Sequence, residues 1–199
     1  MAGTEDAVLR IVAREGLDAV SFRTVAAEAG LPLARVQREF GTKDELLRRT
    51  LLRTVAAAEA RIDVRVRAMG AQVTVRAIFD AMADEVLPGS PEILAEARVW
   101  LAFVARAATS PALAEPLREY YAEQARAGRE GLAMAHLTGA VGADLDPVAD
   151  TLTIVALIDG LVTQVLLGVL DHDRAADLLR RHLDRLMPTD GPRASPAGP

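Results

Sequence analysis

Apolar residues recur three and four positions apart along almost the whole chain, and no stretch alternates between apolar and polar residues. The first spacing places apolar side chains on one face of an α-helix, whereas a half-buried strand requires alternation. Ala, Leu, Val, Arg and Glu dominate the composition and aromatic residues make up 4%. Most of these side chains lose little freedom in a helix. The pattern predicts an all-α fold of about nine helices.

Glycine, proline and capping residues divide this pattern into separate helices. The predicted N-caps are Thr4, Ser21 and Thr42, and the predicted stops are Gly16, Gly30 and Gly41. The predicted helices span about 4–15, 22–29, 32–39, 43–67, 71–87, 91–108, 111–137, 148–170 and 173–187. Pro116 is expected to kink or split the seventh helix, because proline lacks a backbone N–H donor.

Charge is unevenly distributed along the chain. The total is −5, but residues 1–53 hold nine basic and eight acidic groups, whereas residues 54–199 hold fourteen and twenty. A mildly basic N-terminal segment therefore precedes an acidic remainder, so the acidic total does not exclude DNA binding by the N-terminal part. We predict domains at 1–48 and 49–187, and a disordered tail rich in Pro and Gly at 188–199.

The chain contains no cysteine, and its first residues lack the basic-then-apolar pattern of a signal peptide. We therefore expect a cytoplasmic protein without disulfides. The three histidines are dispersed, and no glycine loop, nucleophile motif or acid pair marks a catalytic centre. We predict no metal site, no cofactor and no enzyme activity.

Two short helices joined by a turn at Gly30 and braced by a first helix describe a helix-turn-helix unit. In "LPLARVQREF", the side chains of Leu31, Val36 and Phe40 would pack inward, while Arg35, Gln37 and Arg38 face outward. Arginine and glutamine suit guanine and adenine edges in the major groove. Spacing alone fits equally well with an ordinary three-helix corner of a helical protein.

The residues themselves are more specific than their spacing. Over about residues 7–53, the chain resembles the DNA-binding domain of the TetR family of transcriptional regulators. The motifs that carry the resemblance are Arg14-Glu15-Gly16, Ser21-Phe22-Arg23-Thr24-Val25-Ala26, Glu28-Ala29-Gly30, Phe40 and Thr42-Lys43-Asp44-Glu45-Leu46. The resemblance implies a three-helix DNA-binding domain followed by a helical domain that binds an effector and dimerises.

Site residues follow from the resemblance position by position. Those that match phosphate contacts are Ser21, Thr24, Thr42 and Lys43, and those on the base-facing side are Leu33, Ala34, Arg35, Gln37 and Arg38. The chain departs from the family at the end of this helix, where "QREF" replaces a run with two tyrosines and Glu39 stands where a phosphate contact is usual. "LA" at 33–34 also replaces a more basic pair. We expect Glu39 to pair with Arg35 or Arg38 and fix their aim.

The remainder of the chain supplies a dimer interface and candidate pocket residues. Residues 148–187 are predicted to form a homodimer through two helices from each subunit. A membrane span at 151–170 is the competing interpretation, but Asp159 and Gln164 lie within it and basic flanks are missing, so no membrane partner is expected. The candidate pocket residues are Arg98, Trp100, Phe103, Tyr120, Tyr121, Gln124, Met134, His136, Asp159 and Gln164. The same residues also suit an ordinary core.

These patterns predict a dimeric TetR-like regulator, a repressor more readily than an activator. It would bind a near-palindromic double-stranded operator and respond to an unidentified small molecule. The alternative is a helical ligand- or partner-binding dimer whose helix-turn-helix no longer reads DNA. Glu39 and the missing tyrosines motivate that alternative.

Overall fold

The computed structural model describes residues 3–70, 73–137, 141 and 144–187. These residues form nine α-helices and no strand. The helices are α1 (Thr4–Glu15), α2 (Phe22–Ala29), α3 (Leu33–Phe40), α4 (Lys43–Ala68), α5 (Val75–Val86), α6 (Pro91–Ala107), α7 (Pro111–Leu137), α8 (Pro147–Leu166) and α9 (His172–Leu186). The all-α prediction is confirmed.

Most helix ends lie where the sequence places them. The Ser21 hydroxyl accepts a hydrogen bond from the Thr24 N–H at 3.1 Å and caps α2, as predicted. Gly30 ends that helix in the left-handed conformation, at φ 65°. The predicted cap of α1 was wrong: Gly3 is the N-cap, and the Asp6 carboxylate accepts its N–H at 2.8 Å. Thr4 is instead the first helical residue and is buried.

Two longer helices differ from their predicted form. α7 continues through Pro116, so the predicted split is wrong, because the one hydrogen bond that proline removes leaves the flanking turns bonded. A kink at Pro116 stays a prediction. α8 ends at Leu166, four residues before the predicted 170, since Gly168 adopts φ 70° and the Val169 N–H turns back to the Gln164 carbonyl at 2.9 Å. The tail predicted to be disordered, 188–199, lies outside the described residues.

The chain divides into two compact units. The first comprises Met1–Asp63 and Pro88–Tyr121, and the second comprises Val64–Leu87 and Ala122–Pro199. This division differs from the predicted boundary at residue 48, which stays a prediction for the functional domains. The reason is one continuous apolar core, in which residues of α6 and α7, such as Phe103 and Leu113, pack with residues of α1–α4.

Within the first unit, α1 packs against α2 and α6, and α2 packs against α3. Arg10 and Arg14 of α1 both donate to the Glu28 carboxylate of α2, at 2.7 and 3.1 Å. These two guanidinium groups, Arg10 foremost, hold the pKa of Glu28 below its usual range. α1 and α2 are therefore joined by both apolar packing and charge.

In the second unit, α5, α8 and α9 pack together. α8 approaches α7 so closely that a Cβ added at Gly128 would lie 2.5 Å from Thr151 Cγ2. One side of α8 is exposed, and its residues recur at spacings of three and four positions. This exposed stripe of α8 consists of Ala149, Thr153, Ala156, Gly160 and Gln164. Of the most apolar window of α8, 28% is buried within the single chain.

Candidate nucleic-acid interface

The eight residues of α3 divide sharply into an inner and an outer face. Val36 and Phe40, four positions apart, are buried at 0% and 4% exposure. Leu33, Ala34, Arg35, Gln37, Arg38 and Glu39 are all exposed. Because Val36 and Phe40 fix the rotation of the helix, the side chains on the other face are presented together. The helix therefore has the size and exposed polar face of a major-groove reader.

Four of the nine basic side chains in residues 3–53 form no salt bridge within the described part of the chain. The other five are each paired with an acid, as Arg10 is with Glu28. The four without a salt bridge are Arg23, Arg35, Arg38 and Lys43, and all are exposed. They belong to α2, α3 and the first residue of α4. The positive charge that remains uncompensated in this segment therefore lies at the helix-turn-helix and the start of the next helix.

The hydroxyls of Ser21 and Thr24, predicted to contact phosphate, are engaged within the chain. The Thr24 hydroxyl accepts the Ser21 N–H at 2.9 Å and donates to the Ala19 carbonyl at 2.8 Å. Ser21 caps the Thr24 N–H in return. The two hydroxyls thus fix the start of α2, whose first two N–H groups and positive dipole end favour an anion. Their direct contact with phosphate stays a prediction, and the hydrogen bonds within the chain show that both hydroxyls position the start of α2.

Thr42 and Lys43 stand together at the start of α4. The Thr42 hydroxyl accepts the Glu45 N–H at 3.1 Å, so it caps α4 as predicted. Lys43 is the first residue of α4 and the only lysine of the chain. An ammonium group beside a positive helix end favours an anion, so this arrangement fits the predicted phosphate contact of Lys43, which stays a prediction.

Glu39 has a different partner from the one expected. Its carboxylate lies 3.8 Å from Arg49 Nη2 on α4, and Arg49 Nη1 donates to the Glu39 carbonyl at 3.5 Å. The same guanidinium lies 3.4 Å from the Glu5 carboxylate and 4.4 Å from the centre of the Phe40 ring. Arg38 instead donates to the Ala34 carbonyl at 3.2 Å. The expected pairing of Glu39 with Arg35 or Arg38 was therefore wrong, because α4 brings a third arginine closer.

Three of the candidate pocket residues meet in the first compact unit. The ring centres of Trp100 and Tyr120 are 5.3 Å apart, those of Trp100 and Tyr121 are 6.3 Å apart, and those of the two tyrosines are 5.5 Å apart. All three rings are half-buried and meet edge to face. Phe103 of the same unit is completely buried in the apolar core, and Arg98 is exposed.

The remaining pocket candidates belong to the second compact unit and lie on α7 and α8. Met134, His136 and Gln164 are exposed, whereas Gln124 and Asp159 are half-buried. In the described part of the chain, no group of three or more His, Asp or Glu side chains could hold a metal ion. The aromatic cluster of Trp100, Tyr120 and Tyr121 is thus the best-formed group among the predicted pocket residues.

Comparison with known proteins decides the family. Residues 6–50 match the model of bacterial regulatory proteins of the tetR family, and residues 75–188 match that of the BetI-type transcriptional repressor, C-terminal domain. The second match alone covers more than half of the chain. The chain belongs to the TetR family. Membership makes it a transcriptional regulator rather than an enzyme.

Individual relatives agree with this assignment. The HTH-type transcriptional regulator PksA of Bacillus subtilis (strain 168) is 33% identical over 103 residues, which are 51% of this chain and 48% of PksA. The match thus spans about half the length of that curated relative. A TetR-family regulator from Rhodococcus sp. superposes with a TM-score of 0.78 at 24% identity, covering 94% of this chain and all of that one.

A transcriptional regulator from Saccharomonospora viridis, solved in complex with choline, superposes with a TM-score of 0.81 at 22% identity. The superposition covers 92% of this chain and 95% of that chain. At these identities the two solved structures show that the fold is shared.

Two residues of the N-terminal segment, Arg23 and Arg49, were missed by the sequence analysis. Arg23 lies within the quoted "SFRTVA" motif, and its position between two predicted phosphate contacts could have identified it as a further cation of the interface. Arg49 had no such signal, because its contacts with Glu39 and Phe40 depend on how α3 and α4 cross.

Proposed function

We propose that this TetR-family protein is a cytoplasmic repressor that binds a near-palindromic operator as a homodimer and is released by a small molecule. The observation that carries the proposal is the exposed face of α3, where uncompensated cations surround residues suited to base edges. Each protomer would insert α3 into the major groove of one half-site. The alternative, a helical dimer whose helix-turn-helix no longer reads DNA, is not favoured, since both family models are those of transcriptional regulators.

The outward residues of α3 would recognise different bases. Arg35 and Arg38 suit guanine, and Gln37 suits adenine. Leu33, 37% exposed at the start of the helix, suits the methyl group of thymine. Phosphates on either side would be bound at the starts of α2 and α4, with Arg23 and Lys43 adding charge.

Binding of this kind is tested by fluorescence anisotropy with duplexes from upstream of the protein's own gene and with scrambled duplexes. Arg35→Ala should weaken operator binding by about 1–3 kcal/mol per half-site and leave scrambled DNA nearly unaffected. Lys43→Ala should weaken both and reduce the salt dependence by roughly one counterion per protomer. Arg106→Ala, which removes an exposed charge of α6, serves as the control. Unchanged binding in Arg35→Ala, Arg38→Ala and Lys43→Ala would refute the proposal.

The proposed dimer interface is the exposed stripe of α8 together with α9. An apolar helix with most of its surface uncovered in the single chain requires a covering surface. A second copy supplies one, because the small side chains Ala149, Ala156 and Gly160 permit close approach of two helices. The Thr153 hydroxyl already donates to the Ala149 carbonyl at 2.8 Å, so its burial leaves no donor unsatisfied. On α9, Leu179 and Leu183 are buried within the chain, which leaves the half-buried Leu178 and Leu186 to meet the partner.

Gly160 offers a sharp test of this interface. A Cβ there meets nothing within 4 Å in the single chain. Gly160→Arg should therefore fold normally but sediment as a monomer and lose cooperative operator binding. Ala127→Arg, at an exposed position of α7, should remain dimeric. A dimeric Gly160→Arg protein would exclude the α8 stripe from the interface.

For the effector we propose an organic cation bound at the aromatic cluster of Trp100, Tyr120 and Tyr121. Aromatic faces attract quaternary ammonium groups, and the half-buried rings leave part of their surface accessible. Choline is a natural first ligand, because the S. viridis relative was solved with it. Trp100 is the only tryptophan of the chain, so its fluorescence reports on this cluster alone. Choline should alter that fluorescence and release operator DNA, and Tyr120→Leu should weaken both effects. No response to choline or tetramethylammonium would refute this part of the proposal.

A further inference from the structure

A groove of 370 Å³ lies between α1, α4 and α6, in the first compact unit. The volume lies within the range of small-molecule sites. Its apolar lining consists of Leu9, Ala13, Ala57, Ala95 and Val99. Alanines from all three helices line it, and their short side chains leave space between the helices. Leu9, Ala13 and Ala95 remain half-buried and Ala57 is exposed. An apolar ligand could therefore remove their surface from water.

Charged groups border this apolar lining. Arg53 Nη2 lies 2.5 Å from Asp6 Oδ1 and connects α4 to α1, and Arg61 Nη2 lies 2.6 Å from Glu96 Oε2 and connects α4 to α6. Arg10, the third cation of the lining, is bonded to Glu28, which is not part of it. The lining itself thus carries three guanidinium groups and two carboxylates.

The arginines of these ion pairs can also bind an anionic ligand. The side chains of Arg10, Arg53 and Arg61 are all more than 40% exposed, so their existing pairs are weak. A guanidinium carries five N–H donors in a planar fork and can bind a second oxyanion beside the first. Burial raises the pKa of Asp6, but the Gly3 N–H and Arg53 outweigh burial and leave that pKa lowered. Asp6 therefore remains ionised, and a cationic ligand would meet more guanidinium than carboxylate.

We propose that this groove is a second small-molecule site, which takes an amphipathic organic monoanion, its apolar part on the alanine lining and its carboxylate at Arg53. The site is separate from the aromatic cluster, which suits a cation. A bound acid contacts α1, α4 and α6 together and stabilises the folded first unit by binding it in preference to the unfolded chain.

Three ligands of equal length test the charge requirement: octanoate, octanamide and octylammonium, titrated by calorimetry into the full chain without DNA. Octanoate should bind with one site per chain and at least about tenfold more tightly than octanamide, because a charge-assisted hydrogen bond is lost in the amide. Octylammonium should bind no better than octanamide. Equal binding of all three would overturn the proposal.

Variants locate the ligand. Ala57→Phe fills the groove from an exposed position and should weaken octanoate binding at least about tenfold. Ala56→Phe, the neighbouring exposed alanine outside the lining, should leave it unchanged. Arg53→Gln should reduce the affinity for octanoate to that for octanamide. Equal effects of Ala57→Phe and Ala56→Phe would overturn the proposal. So would loss of octanoate binding in Tyr120→Leu, which would place the acid at the aromatic cluster. Operator binding of these variants without ligand reports on the repressor function separately.

Discussion

Glu39 and Arg49 allow a quantitative test of how the recognition helix is held. Two unit charges about 4 Å apart attract by about 1 kcal/mol in water. The Glu39 carboxylate lies 3.8 Å from the Arg49 guanidinium, and the two side chains are 36% and 38% exposed, respectively. Solvent and side-chain ordering reduce such a pair to about 0.2–0.5 kcal/mol. Glu39→Gln should therefore lower the free energy of unfolding by no more than that.

Arg49→Met should cost more, about 1–2 kcal/mol, because it also removes the contact with Glu5 and the cation–π contact with Phe40. Urea denaturation of both single variants and the double variant yields the coupling energy. We expect about 0.2–0.5 kcal/mol between residues 39 and 49. A coupling energy of zero would refute a stabilising interaction between Glu39 of α3 and Arg49 of α4.

DNA binding provides the second measurement on these variants. Because the partner of Glu39 is Arg49 and not a base-reading arginine, Glu39→Gln should not change the preference among operator sequences. It removes one negative charge close to phosphates, and should tighten binding to operator and scrambled DNA by a similar small factor. Glu119→Gln removes the same charge from exposed α7 and should have no effect. A changed base preference in Glu39→Gln would refute this reasoning.

Further predictions concern packing, protonation and base contact. Gly128→Ala should destabilise the protein by about 1–3 kcal/mol in urea denaturation, because its Cβ would meet Thr151 Cγ2 at 2.5 Å. Thr151→Ser should restore most of that loss, whereas Gly131→Ala, whose Cβ meets only ordinary contacts at 3.5 Å, should not destabilise. Burial lowers the pKa of His182 from 6.5. As the pH falls, His182 is therefore protonated in the unfolded chain before it is protonated in the folded one, and stability falls below about pH 6.5. His182→Gln should flatten this dependence in denaturations between pH 7.5 and 5, and an equally steep curve would contradict it. Leu33→Ala should weaken binding only to operators with thymine at one position, as anisotropy with single-base variants would show; an equal loss with every variant would contradict a thymine contact.

The parts of the fold that depend on local chemistry could be predicted from the sequence. Ser21, Gly30 and Gly41 act on their immediate neighbours, so the α2–α3 turn and the start of α4 could be placed from the sequence. The early end of α8 was missed because Gly168 lies in a continuous apolar run, which hid a local stop.

Contacts between distant residues were not accessible in the same way. Trp100 and Tyr120 are twenty residues apart and meet only because α6 and α7 pack together. Similarly, Arg49 reaches Glu39 through the crossing of two helices, whereas helical periodicity favours partners three or four positions away. Sequence patterns predicted which face of α3 is exposed, and packing determined that Arg49 is the partner of Glu39.

The internal pairing of five of the nine cations in residues 3–53 bears on how the protein searches a genome. The cations of this segment that form no salt bridge among the described residues are the best placed to displace the counterions that surround DNA, and they number four of the nine. Phosphate contacts by these four cations from each protomer of a dimer would give a logarithmic salt slope of about 7. Weak attraction to arbitrary sequence leaves more of the protein unbound and shortens each unproductive encounter. Occupancy of the operator would then depend chiefly on the few side chains of α3 that are proposed to contact bases.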